Sequence, residues 1–250
     1  MCLILLRWQK DLEHPFVVAA NRDEFFARPT LAANYWPEHP HILAGRDLEF
    51  GGSWLGISLN GRFAAVTNLR EVEASGDQSR GDLVKDFLLS QQTSTQFLRD
   101  LETKKGQYRP FNLIVNDGKS LCYINNFEPS WTTLPEGIHA IGNIPLSDDN
   151  KKTKKGRADM SAAISSAFDH QTLLTMLQDP NPTLDSEEEI YRALSQRFIN
   201  INGYGTRSSS IICKSKNGQW DFWEKSYANS TSQKEALNHF TFSAKPSSSD

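Results

Sequence analysis

The chain is 250 residues long, 38% hydrophobic and 23% charged, with a formal net charge of −3. That length can bury a substantial core, and the slight acidic balance argues against a general nucleic-acid binder, which carries a basic excess. No apolar stretch approaches a membrane span, and the apolar start at residues 2–6 is too short for a signal-peptide core and has no basic region before it.

The chain opens Met1-Cys2 and runs at once into a strand-like stretch, Leu3–Leu6, within an apolar run over residues 2–8. Cysteine is small enough to permit removal of Met1. Cys2 would then carry a thiol and a free α-amine on one residue, a nucleophile with its own base. An amine with a pKa of about 7.7–8.0 is partly neutral at physiological pH and can take the thiol proton directly or through one water. A second short strand, residues 16–20, follows a polar turn and ends in Asn21-Arg22-Asp23-Glu24. Four polar residues there read either as a turn or as the end of a strand lying beside the first. In the second case Asp23 can hold the α-ammonium, and the Arg22 guanidinium can favour a Cys2 thiolate by charge.

Further along, residues 54–59 and 63–68 flank Asn60-Gly61, a strong hairpin signal. Gly51-Gly52-Ser53-Trp54 lacks the Lys of a phosphate loop, so it reads as a turn into a strand, with Trp54 in the core or lining a pocket. Leu83, Val84, Phe87 and Leu88 share one helical face, and Phe97, Leu98 and Leu101 suggest a second helix. Strand runs at 111–115 and 121–124 flank Asn116-Asp117-Gly118. Past residue 150 the period becomes helical, with Met160, Ala163, Ile164, Ala167 and Phe168 in one stripe. A capping-box pattern, Ser186 and Glu189, leads a second stripe of Ile190, Leu194 and Phe198. The lysine-rich run at 151–155 reads as a solvated loop or helix entry. Strands return at 208–213 and 219–223, around Asn217-Gly218. Frequent hairpins predict largely antiparallel sheets with helices packed on them, an α+β domain over residues 1–244, with a disordered tail at 245–250.

The three cysteines, Cys2, Cys122 and Cys213, leave one unpaired in any disulfide scheme, which suits a reducing, cytoplasmic setting. Cys122 and Cys213 lie in strand runs and read as core. His39-Pro40-His41 is the only close histidine pair and has no third ligand, so no metal site is expected.

With Asn21-Arg22-Asp23-Glu24 after Met1-Cys2, the chain resembles the NRDE family, which includes the transport and Golgi organisation 2 proteins. Arg28-Pro29-Thr30, Gly51-Gly52-Ser53-Trp54-Leu55-Gly56, Thr67-Asn68, Phe111-Asn112-Leu113, Gly142-Asn143-Ile144-Pro145 and Gly205-Thr206-Arg207-Ser208-Ser209 extend the resemblance over residues 1–223. More distantly it is similar to cysteine N-terminal-nucleophile amidohydrolases of the choloylglycine hydrolase and penicillin acylase type. That similarity implies a four-layer αββα sandwich. It implies catalytic roles for Cys2, Asp23, Asn68, Asn143 and Arg207, with Asn68 and Asn143 as oxyanion donors, and places Asn21, Arg22 and Trp54 at the substrate. Those hydrolases often carry an Arg where this chain has Ala20, which separates the role of Arg22 from theirs. The expected activity is hydrolysis or transfer of an acyl group from an amide or thioester, with no cofactor required. The alternative is a carrier that takes haem or acyl-CoA in the same cleft.

Overall fold

The computed structural model describes residues 2–70, 76–165, 168–228 and 235–244. The expected tail, the fate of Met1 and the place of Ala167 fall outside them. The chain forms two compact units, residues 1–28 with 136–241, and residues 29–135 with 242–250.

In the first unit, β1 (Leu3–Trp8) and β2 (Phe16–Phe25) form the expected hairpin. Strands β10 (Gly137–Ile141), β12 (Tyr204–Lys214), β13 (Gln219–Ser226) and β14 (Ala236–Ser243) complete a sheet of order β10-β1-β2-β12-β13-β14, and the short β11 (Asn200–Ile201) pairs with β12. Three helices belong to this unit: α3 (Lys151–Ala163), α4 (His170–Leu177) and α5 (Glu189–Leu194). On one face of the sheet Leu3, Leu5, Val17, Ala19, Ala140, Ile211 and Cys213 pack with Met160, Ile164, Leu173, Leu174 and Leu177. The alternate residues Ile4, Leu6, Phe16, Val18 and Ile212 are also buried. A sheet buried on both faces explains why β1, the first half of β2 and the end of β12 read as continuous apolar runs rather than alternating ones. Each such aliphatic side chain contributes about 1.5–3 kcal/mol on burial.

Helix α3 starts inside the lysine-rich run. Asn150 caps it by accepting from Thr153 N, and Thr153 Oγ1 accepts from Asn150 N in return. It crosses β1 at Gly156, where a Cβ would lie 2.7 Å from Leu5 Cδ2.

In the second unit, β3 (Thr30–Trp36), β4 (His39–Asp47), β5 (Leu55–Ser58), β6 (Phe63–Asn68), β7 (Phe111–Asn116), β8 (Leu121–Asn125) and β9 (Thr132–Thr133) form an antiparallel meander in sequence order. Gly61 and Gly118, at φ 81° and 87°, turn its two predicted hairpins. Helices α1 (Arg80–Leu89) and α2 (Ser94–Glu102) pack Leu83, Val84, Phe87, Leu88, Leu98 and Leu101 onto Ala64, Val66, Leu113, Val115, Cys122 and Ile124.

The helical stripe expected from Ser186 to Phe198 is shorter than its pattern. Helix α5 ends at Leu194, its N-cap is Glu188 with no side-chain bond, and Ile190 is exposed. Ser195 stops it: its hydroxyl donates to Arg192 O and accepts the N–H groups of Thr183 and Leu184, tying the helix end to the preceding loop. Phe168 likewise lies past the end of α3. Cys122 and Cys213 are buried, as their strand settings predict. No helix of the described residues is long and apolar enough to cross a membrane.

Candidate functional site

Register places the site. Leu3 pairs with Asn21, so Cys2 stands one step on, across from Arg22, and Arg22 pairs with Ser208. On the other side the pairing of β1 with β10 ends at Ile4 with Ile141, and Asn143, 7% exposed, follows β10 two residues later. Cys2 immediately before β1, Arg22 on β2 and Ser208 on β12 thus come at the same end of the sheet as the exit of β10.

Strand alternation divides the motif residues. Val17 and Ala19 face the helices, so along β2 Arg22 faces away from them while Asn21 and Asp23 face toward them. Asn21 is 2% exposed. Its Nδ2 donates to Leu177 O and Arg197 O, both at 2.9 Å, and its Oδ1 accepts from Ser209 Oγ at 2.6 Å. Ser209 Oγ also meets Tyr227 Oη at 2.9 Å. The amide of Asn21 is thus committed to the end of α4 and to β12, inside the helix layer rather than at a substrate.

Asp23 is buried beside Thr206, whose Oγ1 donates to Asp23 Oδ1 at 2.7 Å. The same hydroxyl accepts from Ile199 N at 2.9 Å, and Thr206 N donates to Ile199 O at 2.8 Å. Burial pushes the Asp23 carboxyl above its usual range. The amino-terminal charge, Lys152 and the Thr206 bond pull it down without cancelling that shift, and Glu24 adds to it.

Cys2 keeps part of its surface exposed, yet loss of solvation around the sulfur still pushes the thiol upward. The amino-terminal charge pulls it back, Asp23 pushes it further up, and a hydrogen bond from the Asp23 backbone and the Arg22 guanidinium favour the thiolate. Arg22 acts in the direction expected, but desolvation outweighs it. Burial raises the other two thiols as well, Cys213 to about 12.

Arg207 sits at a β-bulge: Thr206 pairs with Asp23 and Ser208 with Arg22, leaving Arg207 as the extra residue between them. The bulge re-aims its side chain, which is 5% exposed. Its Nη1 donates to Phe25 O at 3.2 Å and to Arg28 O, clamping the exit of β2. Arg207 is close to Asp23 in register, with a guanidinium engaged on backbone carbonyls.

The two remaining expected residues belong to the other unit. Asn68 closes β6 opposite Phe111, and the indole of Trp54 lies against Gly45, where a Cβ would come within 2.3 Å of the ring. Among the described residues no three His, Cys, Asp or Glu side chains converge as metal ligands. Thr206 joins the site through its bond to Asp23, although the residue pattern singled out only the Gly205–Ser209 motif that contains it.

The family model for Transport and Golgi organisation 2 matches residues 1–229. The mouse Transport and Golgi organization 2 homolog is 30% identical over 272 residues, covering 97% of this chain and 99% of that protein. The human homolog is 31% identical over 256 residues, covering 90% and 93%. Among solved structures, the C2A variant of conjugated bile acid hydrolase from Clostridium perfringens superposes with a TM-score of 0.51 at 10% identity, over 96% of this chain and 92% of that one. A second variant of that hydrolase gives 0.51 at 9% identity, over 98% and 97%. At such identity the likeness is one of fold, and the chain has the α+β fold of N-terminal-nucleophile hydrolases. By the family match and by its relatives, the chain belongs to the Transport and Golgi organisation 2 family.

Proposed function

We propose that the protein is an N-terminal-cysteine hydrolase or acyltransferase acting on an amide or thioester, and that removal of Met1 completes its site. The observation that supports this reading is that Cys2, at the start of β1, lies close enough to Asp23 and Arg22 to feel both charges and accepts a hydrogen bond from the Asp23 backbone. A structural neighbour that hydrolyses conjugated bile acids shares the fold, which supports the class of chemistry without fixing the substrate.

In this reading Cys2 Sγ forms a bond to the acyl carbon. Its proton passes to the α-amine, and the carbonyl π pair moves to oxygen as an oxyanion. Asn143 donates to that oxyanion. Collapse expels the leaving amine or thiolate, which takes the proton back. Water then attacks the thioester on Cys2, releasing a carboxylic acid and regenerating the thiol. The α-amine freed by removal of Met1 takes the thiol proton as the bond forms. Asp23 keeps the amine in place. The free cysteines fit a reducing compartment, and we assign the protein to the cytoplasm.

The deciding experiment is intact mass spectrometry after incubation with acyl-CoA thioesters and fatty amides, run on the native chain and on Cys2→Ala and Cys2→Ser. Met1 loss with an acyl adduct that vanishes in both variants supports the reading. Unchanged hydrolysis in Cys2→Ala overturns it. Haem titration of the same three proteins reports the carrier alternative: a changed haem absorbance in Cys2→Ala, with no turnover in the native chain, would favour a ligand role for Cys2.

A further inference from the structure

Helix α4 turns a complete stripe toward open space. Gln171, Leu174, Thr175 and the C-cap Gln178 recur at i, i+3, i+4 and i+7, share one side of the helix, and line a cavity of about 300 Å³. The facing wall comes from Lys225 on β13 and from Glu235 and Leu237 at the start of β14. Trp223 packs against the helix layer, and Lys225, two residues on, points to the same side of the sheet. Both walls are fastened to β13. The rings of His170, at the start of α4, and His239, on β14, lie parallel to the Trp223 indole with centroids 4.6 and 4.5 Å away. His239 Nε2 also lies 2.9 Å from Asp221 Oδ1. At the far end of α4, Gln178 Nε2 donates to Tyr227 Oη at 3.3 Å, and Leu177 O accepts from Asn21 at 2.9 Å. The cavity is therefore a fixed feature of the fold.

The charges on its wall select an occupant. Lys225 Nζ and Glu235 Oε1 stand 3.2 Å apart. A lone carboxylate would meet Glu235, and a lone ammonium would meet Lys225. A molecule that carries both charges a few ångströms apart satisfies both residues at once. It displaces only an exposed ion pair, which contributes little by itself. Leu174 and Leu237 offer a surface for an aliphatic group, while the Gln171 and Gln178 amides and the Thr175 hydroxyl offer neutral donors and acceptors. The volume is at the small end for ligand sites, which suits one small molecule rather than a nucleotide cofactor or a peptide. We propose that this cavity binds a small zwitterion of the aliphatic α-amino acid class, with its carboxylate on Lys225, its ammonium on Glu235 and its side chain on Leu174 and Leu237. The cavity shares no residue with the site around Cys2.

The test is a ligand-observed NMR titration of the full-length chain with L-leucine. Two analogues accompany it: 4-methylpentanoate, which lacks the ammonium, and 3-methylbutylamine, which lacks the carboxylate. Leucine is expected to bind saturably and about tenfold or more tightly than either analogue, because each charged contact is worth that much. Lys225→Met should weaken leucine by about tenfold and erase its advantage over the amine. Glu235→Gln should do the same against the carboxylate. Leu237→Trp fills the cavity and should remove binding, and Thr175→Phe fills it from the α4 wall should the Trp variant fold poorly. Absence of saturable leucine binding in the native chain overturns the proposal. So does an analogue that binds as well as leucine, an affinity unchanged in either charge variant, or binding that survives in a folded, cavity-filled variant.

Discussion

Asp23 and Thr206 form a 2.7 Å hydrogen bond across β2 and β12, one residue before the bulge at Arg207, and that bond joins the candidate site to the helix layer. It stabilises the charged carboxylate, yet burial outweighs it and the carboxyl sits above its ordinary range. The sign follows from linkage. The folded state binds this proton more tightly than the unfolded one, so the group's contribution to stability is greatest at low pH and is lost as pH rises through the folded-state value. Asp23→Asn should therefore raise Tm at pH 7–8, on the order of a few degrees, with the gain shrinking toward pH 4. The same variant should lower turnover. A thermal melt series across pH checks the first part, and a Tm gain that grows on acidification would contradict it.

Cys2 should be the first of the three thiols alkylated. All three are pushed upward by burial, so access rather than acidity decides, and only Cys2 keeps exposed surface. Its labelling should remain slow at pH 7 and accelerate as pH rises, as a thiol pushed upward by burial requires. Peptide mapping after brief iodoacetamide treatment reads this directly. Labelling of Cys213 or Cys122 ahead of Cys2 would refute it.

Asn21→Ala should cost stability more than chemistry. It strands the buried Leu177 and Arg197 carbonyls and removes the acceptor for Ser209. Buried groups left unsatisfied cost about 1–3 kcal/mol each. Urea denaturation should show a loss of several kcal/mol. Among molecules that remain folded, the Cys2 alkylation rate should stay within a few-fold of native.

Arg207→Lys should not rescue Arg207→Ala. The guanidinium grips the Phe25 and Arg28 carbonyls together, which a single ammonium on a flexible stem does not reproduce. Both variants should lose on the order of 1–3 kcal/mol and show faster amide exchange from Phe25 to Arg28. Protection equal to native in either variant would assign the clamp to other residues.

Part of this protein can be read from its sequence, because local physics decides that part. The apolar runs of β1, the first half of β2 and β12, the Asn60-Gly61 and Asn116-Asp117-Gly118 hairpins, and the stripe of α1 each follow from short-range propensity and burial. Cys2 stands out because chemistry attaches to its position. Strands β3 and β14 were not legible. Strand β3 buries little beyond Ala33 and Trp36 and its pairing with β4 is irregular, while no residue of β14 is fully buried, so neither strand presents a continuous buried apolar face. Sequence also could not assign faces to Asn21, Arg22 and Asp23. One strand step separates a residue tied to α4 from one beside the thiol, and only the registers of β1 and β12 against β2 fix which is which. Nor could it seat α3 on β1: the close approach of Gly156 to Leu5 is a meeting of residues 151 positions apart that no local pattern encodes.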